Sequence, residues 1–547
     1  CKDKNNPLAF STLIDRIAKS KATGEQRLLQ LRMAMEVAAD TDEQNAVLKQ
    51  VAGTKTFLGI IFAGQYIEVP QLQQNAAQAI RLVSADNVSF NGPEVQALLK
   101  RAAEVLTGPD AEYEITAINQ HLEKLEGEAG FVSMFNGKDL TGWKGLTTTY
   151  KNKKGLDNPF ARAKLTPAEL AKAQELADEV MRHNWKVEDG HIIFFGKAYD
   201  NLCTVKKYGD FEMYLDWYLY PEGPEADAGI YLRGTPQVQI WDTARVNVGA
   251  QVGSGGLYNN RTNESKPLCV ADNGLGQWNS FYIKMAGERV TVYLNGILVV
   301  DNVILENYWD RSKPVFPVEQ IELQAHGSKV AYRNLYIREL PQVEPVKLSA
   351  EEQKDGFEML FDGTSLYKWQ GNKHDYVTED GVIAVKPSDQ GFGDLYTAKE
   401  YGDFVFRFEF KLTHGANNGL GIRAPGVGDA AYEGMEIQIL DHYDAIYQPW
   451  LKDYQYHGSI YGIIPTQNRD ALRPVGEWNE EEVYAKGTYI RVTLNGVVIT
   501  EGDIAEATKN GTYDGKEHPG LMRPSGFIGF LGHGSELWIR NIRVKEL

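Results

Sequence analysis

The sequence predicts a mainly β protein: two jelly-roll β-sandwiches in tandem, preceded by an all-α, helical-repeat-like domain. Three observations carry this. Helical hydrophobic spacing is confined to roughly the first quarter of the chain, Gly, Tyr, Trp, Val and Asn-Gly turns dominate thereafter, and an internal repeat runs through that second part. The chain has 547 residues, 43% hydrophobic and 24% charged, which is ordinary globular composition and excludes disorder. With 57 basic against 74 acidic residues the net charge is −17, a surface that repels phosphate backbones and argues against nucleic acid as a partner. Apolar runs such as Phe57 to Ala63 fall far short of the roughly 18–20 residues that span a bilayer. Three cysteines, Cys1, Cys203 and Cys269, imply no disulfide framework.

Residues 1–127 read as a tether followed by a HEAT-like helical domain. The chain begins Cys1-Lys2-Asp3-Lys4-Asn5-Asn6 rather than with Met. This resembles a mature bacterial lipoprotein, cut before a cysteine that then receives lipid, and the polar residues suit a tether. It predicts lipidation of Cys1 and a place in the bacterial cell envelope, periplasmic or cell-surface, with the membrane touched only through the anchor. The alternative is an arbitrary chain boundary. Leu13, Ile14 and Ile17, then Leu28, Leu29, Leu31, Met33, Met35 and Val37, fall at helical spacings. Further helical segments follow around Gln71–Val83, Pro93–Leu106 and Glu112–Leu125, with Pro93 and Pro109 suited to helix starts. Four to six antiparallel helices are expected. They carry no catalytic constellation, so a scaffold or docking role is expected, for a protein partner the sequence does not identify.

Residues 128–341 and 355–547 are two copies of one domain, joined by a Pro-, Glu- and Lys-rich linker at 342–354. Gly130-Phe131 through Trp143 matches Gly356-Phe357 through Trp369, and Glu188-Asp189-Gly190 matches Glu379-Asp380-Gly381. Tyr208-Gly209-Asp210-Phe211 matches Tyr401-Gly402-Asp403-Phe404, and Leu294-Asn295-Gly296 matches Leu494-Asn495-Gly496. His326-Gly327-Ser328 with Arg333-Asn334-Leu335 matches His533-Gly534-Ser535 with Arg540-Asn541-Ile542. Period-two alternation in Phe211–Trp217, Phe404–Phe410, Val290–Leu294 and Tyr489–Val497 predicts strands, and the Asn-Gly pairs predict tight hairpins because both residues tolerate positive φ. The first copy carries a helical insert near 147–184, in which Thr166 caps a helix beginning at Pro167 and Glu169 completes a capping box.

The same alternation assigns an outer sheet face. In Ile230–Arg233 it places Tyr231 and Arg233 outward; in Gln237–Trp241, Gln237, Gln239 and Trp241; in Ile321–His326, Glu322, Gln324 and His326. If these strands are neighbours, one concave face gathers an arginine, a carboxylate, an imidazole, three amides and a tryptophan. Such a set suits a sugar, whose hydroxyls need donors and acceptors and whose C–H surface needs an aromatic ring.

The Phe-Asn-Gly-Lys-Asp-Leu-x-x-Trp opening, the Tyr-Gly-Asp-Phe motif, the Glu-x-Gln-x-x-Asp strand and the closing His-Gly with Arg-Asn-Ile together resemble bacterial 3-keto-disaccharide hydrolase domains, formerly a domain of unknown function. The resemblance covers both repeats but not the helical region. It implies a concanavalin-like fold and substrates whose C3 hydroxyl has been oxidised to a ketone elsewhere. In the second copy Arg423, Gln438, Asp441 and His533 match Arg233, Gln239, Asp242 and His326. Glu436 stands where the first copy has Gln237, while Gly529 and Leu531 replace Glu322 and Gln324.

A C3 ketone acidifies the C2 proton, so the implied chemistry is C2 proton abstraction and β-elimination, with rehydration giving net hydrolysis. A base, an enolate stabiliser and an acid are required. Glu322 or His326 is expected as base and Arg233 as enolate stabiliser. Tyr231, Gln237, Gln239, Trp241, Asp242 and Gln324, and in the second copy Arg423, Glu436, Gln438, Asp441 and His533, are expected to hold substrate. No cofactor is called for; a divalent metal ion is compatible with the chemistry, but no compact metal motif such as His-Glu-x-x-His occurs. The alternative is a non-catalytic carbohydrate-binding lipoprotein.

Overall fold

The computed structural model describes residues 7–85, 87–125, 127, 130–147, 157–196, 200–222, 226–341, 343–388 and 393–547. Cys1 and part of the expected insert, 148–156, lie outside the described residues. The chain divides into two units, residues 1–309 with 315–341 and residues 310–314 with 342–547.

The first unit opens with seven α-helices among the described residues, more than the four to six expected, because two helices, Thr41–Val51 and the short apolar run Phe57–Gly64, lie outside the expected segments. The residues from Phe57 to Ala63 are all buried, which explains why that run shows no amphipathic spacing. Local capping sets the helix starts. Thr23 and Gln26 form a capping box at Gly24–Val37, and the Asp40 and Thr56 side chains each accept from a first-turn N–H of the helix that follows them.

These helices sit on the eight-stranded sheet of the first sandwich. Phe57 stacks on Tyr214 at 5.1 Å between centroids and meets Phe131 at 4.7 Å. Arg32, from the second helix, pairs with Asp216 at 2.9 Å in a buried contact, and Asp216 also accepts from Asn334 at 2.7 Å. Burial draws the Arg32 guanidinium down to about 10, with the Asp216 charge opposing that shift. In the second copy, the positions equivalent to Tyr214 and Tyr336 hold Arg407 and Arg543, which pair with Glu352 instead. The aromatic platform under the helices is therefore a property of the first copy alone.

Each sandwich packs a sheet of eight strands against one of five, in the same order in both copies. The five-stranded sheet of the first runs Trp143–Gly145, Leu202–Thr204, Glu322–Leu323, Asp227–Leu232, Thr235–Trp241. That of the second runs Trp369–Gly371, Leu395–Thr397, Phe527–Gly532, Asn417–Ala424, Met435–Leu440. All pairings are antiparallel. Alternate residues fill each core: Ile230, Leu232, Val238 and Ile240 meet Met213, Leu215, Phe281 and Ile283 in the first. Leu420, Ile422, Ile437 and Ile439 meet Phe406, Phe408 and Val483 in the second. The Asn-Gly hairpins adopt the expected positive φ, 54° and 75° at Asn295-Gly296 and 50° and 81° at Asn495-Gly496. The strand expected to reach Val497 accordingly ends at Leu494.

Candidate functional site

Cross-strand register builds the polar outer face of the first copy's five-stranded sheet, on which Gln237, Gln239, Glu322 and Gln324 are all buried. Glu322 lies directly opposite Cys203 on one side and Tyr231 on the other, and Gln324 continues the ladder by donating its N–H to the Gly229 carbonyl at 2.9 Å. Gln239 sits opposite Gly229 on the next strand. Gly229 is required there: an added Cβ would meet Gln237 Nε2 and Gln324 Oε1 at 3.0 Å each, so the two amides close over its bare backbone. Gln237 Nε2 donates to Gln239 Oε1 at 2.5 Å, and Gln239 Nε2 donates to Asp227 at 2.7 Å. Gln324 Nε2 reaches the Tyr231 hydroxyl at 3.5 Å, while Gln324 Oε1 is buried with no hydrogen-bond partner.

Glu322 is the chemical centre of this group. The residue is 1% exposed. Its oxygens accept from Asn201 Nδ2 at 2.9 Å and Gln320 Nε2 at 3.4 Å. Burial pushes the carboxyl up to about 7, against the Arg162 charge and the hydrogen bonds from Asn201 and Gln320, with Glu319 adding to the rise. A carboxyl held near neutrality in a buried, polar setting is suited to moving protons. Arg162 comes from the insert. It ends the short helix Pro159–Arg162, capped by Asn158, and lies 3.6 Å from Glu319. The insert's long helix, Pro167–Asn184, carries the Thr166–Glu169 capping box and is fastened to the sheet edge, where Asp178 accepts from the Gly145 N–H at 2.9 Å and Gln174 donates to its carbonyl at 2.7 Å.

Arg233 does not join the group. A register shift follows Ile230, and Arg233 adopts φ 48°, which breaks the alternation that placed it beside Tyr231. Its guanidinium instead donates to the Pro317 carbonyl at 3.0 Å, to the Gly287 carbonyl and to Asp210 at 3.3 Å. Arg423 repeats this in the second copy, at φ 50°, with the Gly402 and Gly487 carbonyls at 3.0 and 2.7 Å and Asp403 at 3.2 Å. The aspartate of each Tyr-Gly-Asp-Phe motif also accepts the Gly287 or Gly487 N–H. Arginine and motif together are a clamp that closes one end of each sandwich.

The remaining residues divide. Trp241 is anchored by its Nε1–H to the Gly253 carbonyl at 2.8 Å and faces Tyr258 edge-on at 5.3 Å, at the far end of the strand from Glu322. Asp242 accepts from the Ala244 N–H and shapes a turn. His326 is half-buried, four residues beyond Glu322. Sequence reasoning missed Asn201, Gln320 and Arg162. Alternation in Asn201-Leu202-Cys203 was available to place Asn201 opposite the core, whereas Arg162 sits on a short helix with no periodic signal.

In the second copy Gly529 takes the place of Glu322, opposite Tyr396 and Gly421. The Tyr396 ring occupies the space, since a Cβ at Gly529 would meet Tyr396 Cδ1 at 2.3 Å. With Leu531, Ala430 and Phe527 it forms an apolar cluster over this part of the face. Glu436 is buried over Gly419 and lies 3.3 Å from His533 Nε2, whose side chain is 42% exposed. That hydrogen bond raises the imidazole above its ordinary value. Gln438 donates to Asn417 at 2.8 Å, as Gln239 does to Asp227, and Asp441 accepts from the Gly415 N–H at 3.0 Å. Among the described residues His414, Asp441 and Asp444 are the group with the composition and spacing of metal ligands.

A family model for the 3-keto-alpha-glucoside-1,2-lyase-like domain matches residues 130–338 and again 356–545. The chain belongs to that family. It is similar to a 3-keto-disaccharide hydrolase of Bacteroides thetaiotaomicron, 28% identical over 251 residues, covering 39% of this chain and 86% of the relative. A solved Parabacteroides distasonis protein assigned as a glycosyl hydrolase is 28% identical, over 35% of this chain and 99% of that one, with a TM-score of 0.31. A carbohydrate binding module from Bacillus subtilis is 10% identical, over 34% of this chain and 94% of its own, with a TM-score of 0.22. The fold is mainly β, with two tandem sandwiches after a helical region.

Proposed function

We propose that this chain cleaves 3-keto-glycosides, and that the concave face of the first sandwich is where it does so. Membership in a family described by a 1,2-lyase activity and the name of the Bacteroides relative support the substrate class. The observation that carries the reading is Glu322, a buried carboxyl held at about 7 by burial and ringed by neutral amides.

In this reading the Glu322 carboxylate takes the C2 proton, and the C–H electrons move onto the C3 oxygen as an enolate. Amide donors of Gln237 and Gln324 and the Tyr231 hydroxyl line the face where that oxygen would bind, and Arg162 supplies the nearby positive charge that Arg233 does not. Collapse of the enolate restores the ketone, forms the C1–C2 double bond and breaks the bond from C1 to the aglycone oxygen, which leaves with a proton. Protonated Glu322 or His326 is suited to return that proton. Addition of water across the double bond then gives net hydrolysis. Ordinary glycosidases differ in needing two carboxylates about the anomeric carbon; elimination needs a single base at C2, which Glu322 provides.

A second reading places the chemistry in the second copy, and the Glu436–His533 pair at 3.3 Å favours it. The Tyr396–Leu531 cluster counts against it by filling the region that the first copy keeps polar. The test is turnover of methyl 3-keto-α-glucoside against the unoxidised methyl glucoside. Cleavage of the keto sugar alone supports the proposal; binding of both without turnover makes the protein a carbohydrate-binding module.

A further inference from the structure

The first unit has another cleft, on the opposite sheet from Glu322, between the helix Gly24–Val37 and the outer face of the eight-stranded sheet. Its volume is about 350 Å³, within the roughly 300–1,000 Å³ of small-molecule sites. One wall is a row of three tyrosines. Tyr214, Tyr282 and Tyr293 lie directly opposite one another on adjacent strands, and their rings stand 5.0 and 5.9 Å apart between centroids. The same row in the second copy is Arg407, Glu482 and Thr493, so register alone does not require aromatic residues there.

The polar groups of the cleft are of two kinds. Glu212 is committed: it pairs with Arg338, whose Nε lies at 3.1 Å, and accepts from the Tyr282 hydroxyl, with Lys284 3.6 Å away. Glu25, from the helix, is not. It makes no ion pair among the described residues, and its carboxylate rests against Gly296, where a Cβ would come 2.2 Å from Oε2. Burial raises this carboxyl above its ordinary value, against a backbone hydrogen bond and the Arg27 charge.

We propose that this cleft binds a neutral mono- or disaccharide, at a site separate from the concave face. Tyr293 at the rim, with Tyr282 beside it, offers aromatic surface to the C–H face of a pyranose, while Tyr214, stacked under Phe57, closes the inner end of the row. Glu25 supplies an acceptor for its hydroxyls, while Arg338, bonded to Glu212 and to the Ser89 carbonyl at 2.9 Å, holds the polar wall in place. Arg338 and Lys284 neutralise Glu212, which leaves the Glu25 charge as the feature that would favour a cation, so a cationic ligand is the competing occupant. The site lies where the helical domain meets the sandwich, so it would let the helices take part in holding a glycan while the concave face works on another.

The experiment is ligand-observed saturation-transfer NMR on the full chain with maltose, cellobiose and trehalose, and with tetramethylammonium as the cationic probe. Transfer to at least one disaccharide is expected, falling several-fold in Tyr293→Ala, a rim position, and in Glu25→Gln. It should persist in a Gln237→Ala, Gln324→Ala double variant, which alters only the concave face. Because these sugars are unoxidised, the result is independent of whether 3-keto-glycosides are cleaved. Transfer unchanged in both cleft variants, lost in the concave-face variant, confined to tetramethylammonium or absent throughout would overturn the proposal.

Discussion

Replacing Glu322 with Gln removes a proton acceptor while keeping the side-chain shape. In the fold the carboxyl sits at about 7, whereas a free glutamate lies near 4.5. Between those values the folded protein keeps a proton that the unfolded chain has lost. Wild-type stability from this group is therefore complete below about pH 4.5 and falls as pH rises through about 7, by about 3 kcal/mol in all. The Glu322→Gln variant carries no such loss. It does turn one acceptor into a donor facing the Asn201 or Gln320 amide, at a cost of about 1–3 kcal/mol unless that amide turns over. From pH 4 to pH 8 the stability of the variant should thus improve relative to wild type, read by urea denaturation at each pH. On methyl 3-keto-α-glucoside, kcat/KM of the wild type should rise with pH and level off above about 7. The variant should lose about 10²–10⁴-fold and that inflection with it. Activity within a few-fold of wild type, with the inflection still present, would refute the assignment of Glu322 as base even if the stability change followed.

The other predictions follow the same site and its repeat. Arg162→Gln removes the charge that holds the Glu322 carboxyl down, so the kcat/KM inflection should move to higher pH with the fold intact by circular dichroism. Glu436→Gln and His533→Ala should cost under about threefold in cleavage, little against the 10²–10⁴-fold of a general base; by NMR titration the His533 imidazole should fall toward its ordinary value in Glu436→Gln. Arg233→Met leaves the Pro317 and Gly287 carbonyls without their donor and Asp210 with the Gly287 N–H alone, so urea unfolding should show a loss of about 3 kcal/mol. Its kcat per folded molecule should stay within about twofold of wild type, an effect under about 0.5 kcal/mol.

Much of the fold was legible because its signals are local. Asn-Gly turns require positive φ, Thr166 with Glu169 writes a helix start, and strands with one buried face alternate. The helix Phe57–Gly64 was not, since burial on all sides erases the pattern that marks a helix. On the concave face, alternation carried Tyr231, Gln237, Gln239, Glu322 and Gln324 together, and register joined their strands. It failed at Arg233, where a register shift and a left-handed residue turn the side chain toward Asp210. That failure has a lesson in the repeat itself. Arg233 and Arg423 match because both clamp the same loop, as the closing Arg-Asn pairs match because both hold a carboxylate, Asp216 or Glu409. These shared residues serve the fold of either copy, whereas Glu322, replaced by Gly529, marks where the two polar faces differ. Arg162 was beyond reach for another reason: a charge brought by an insert depends on tertiary placement that no spacing encodes.

Removal of the C2 proton is the step on which the account turns. Methyl 3-keto-α-glucoside carrying deuterium at C2 should be cleaved measurably more slowly than its protiated form, should release its deuterium to solvent, and should show neither effect in Glu322→Gln, while the unoxidised methyl glucoside is left intact. Equal rates for the two isotopologues with deuterium retained in the product, or cleavage of the unoxidised glucoside at a comparable rate, would contradict it.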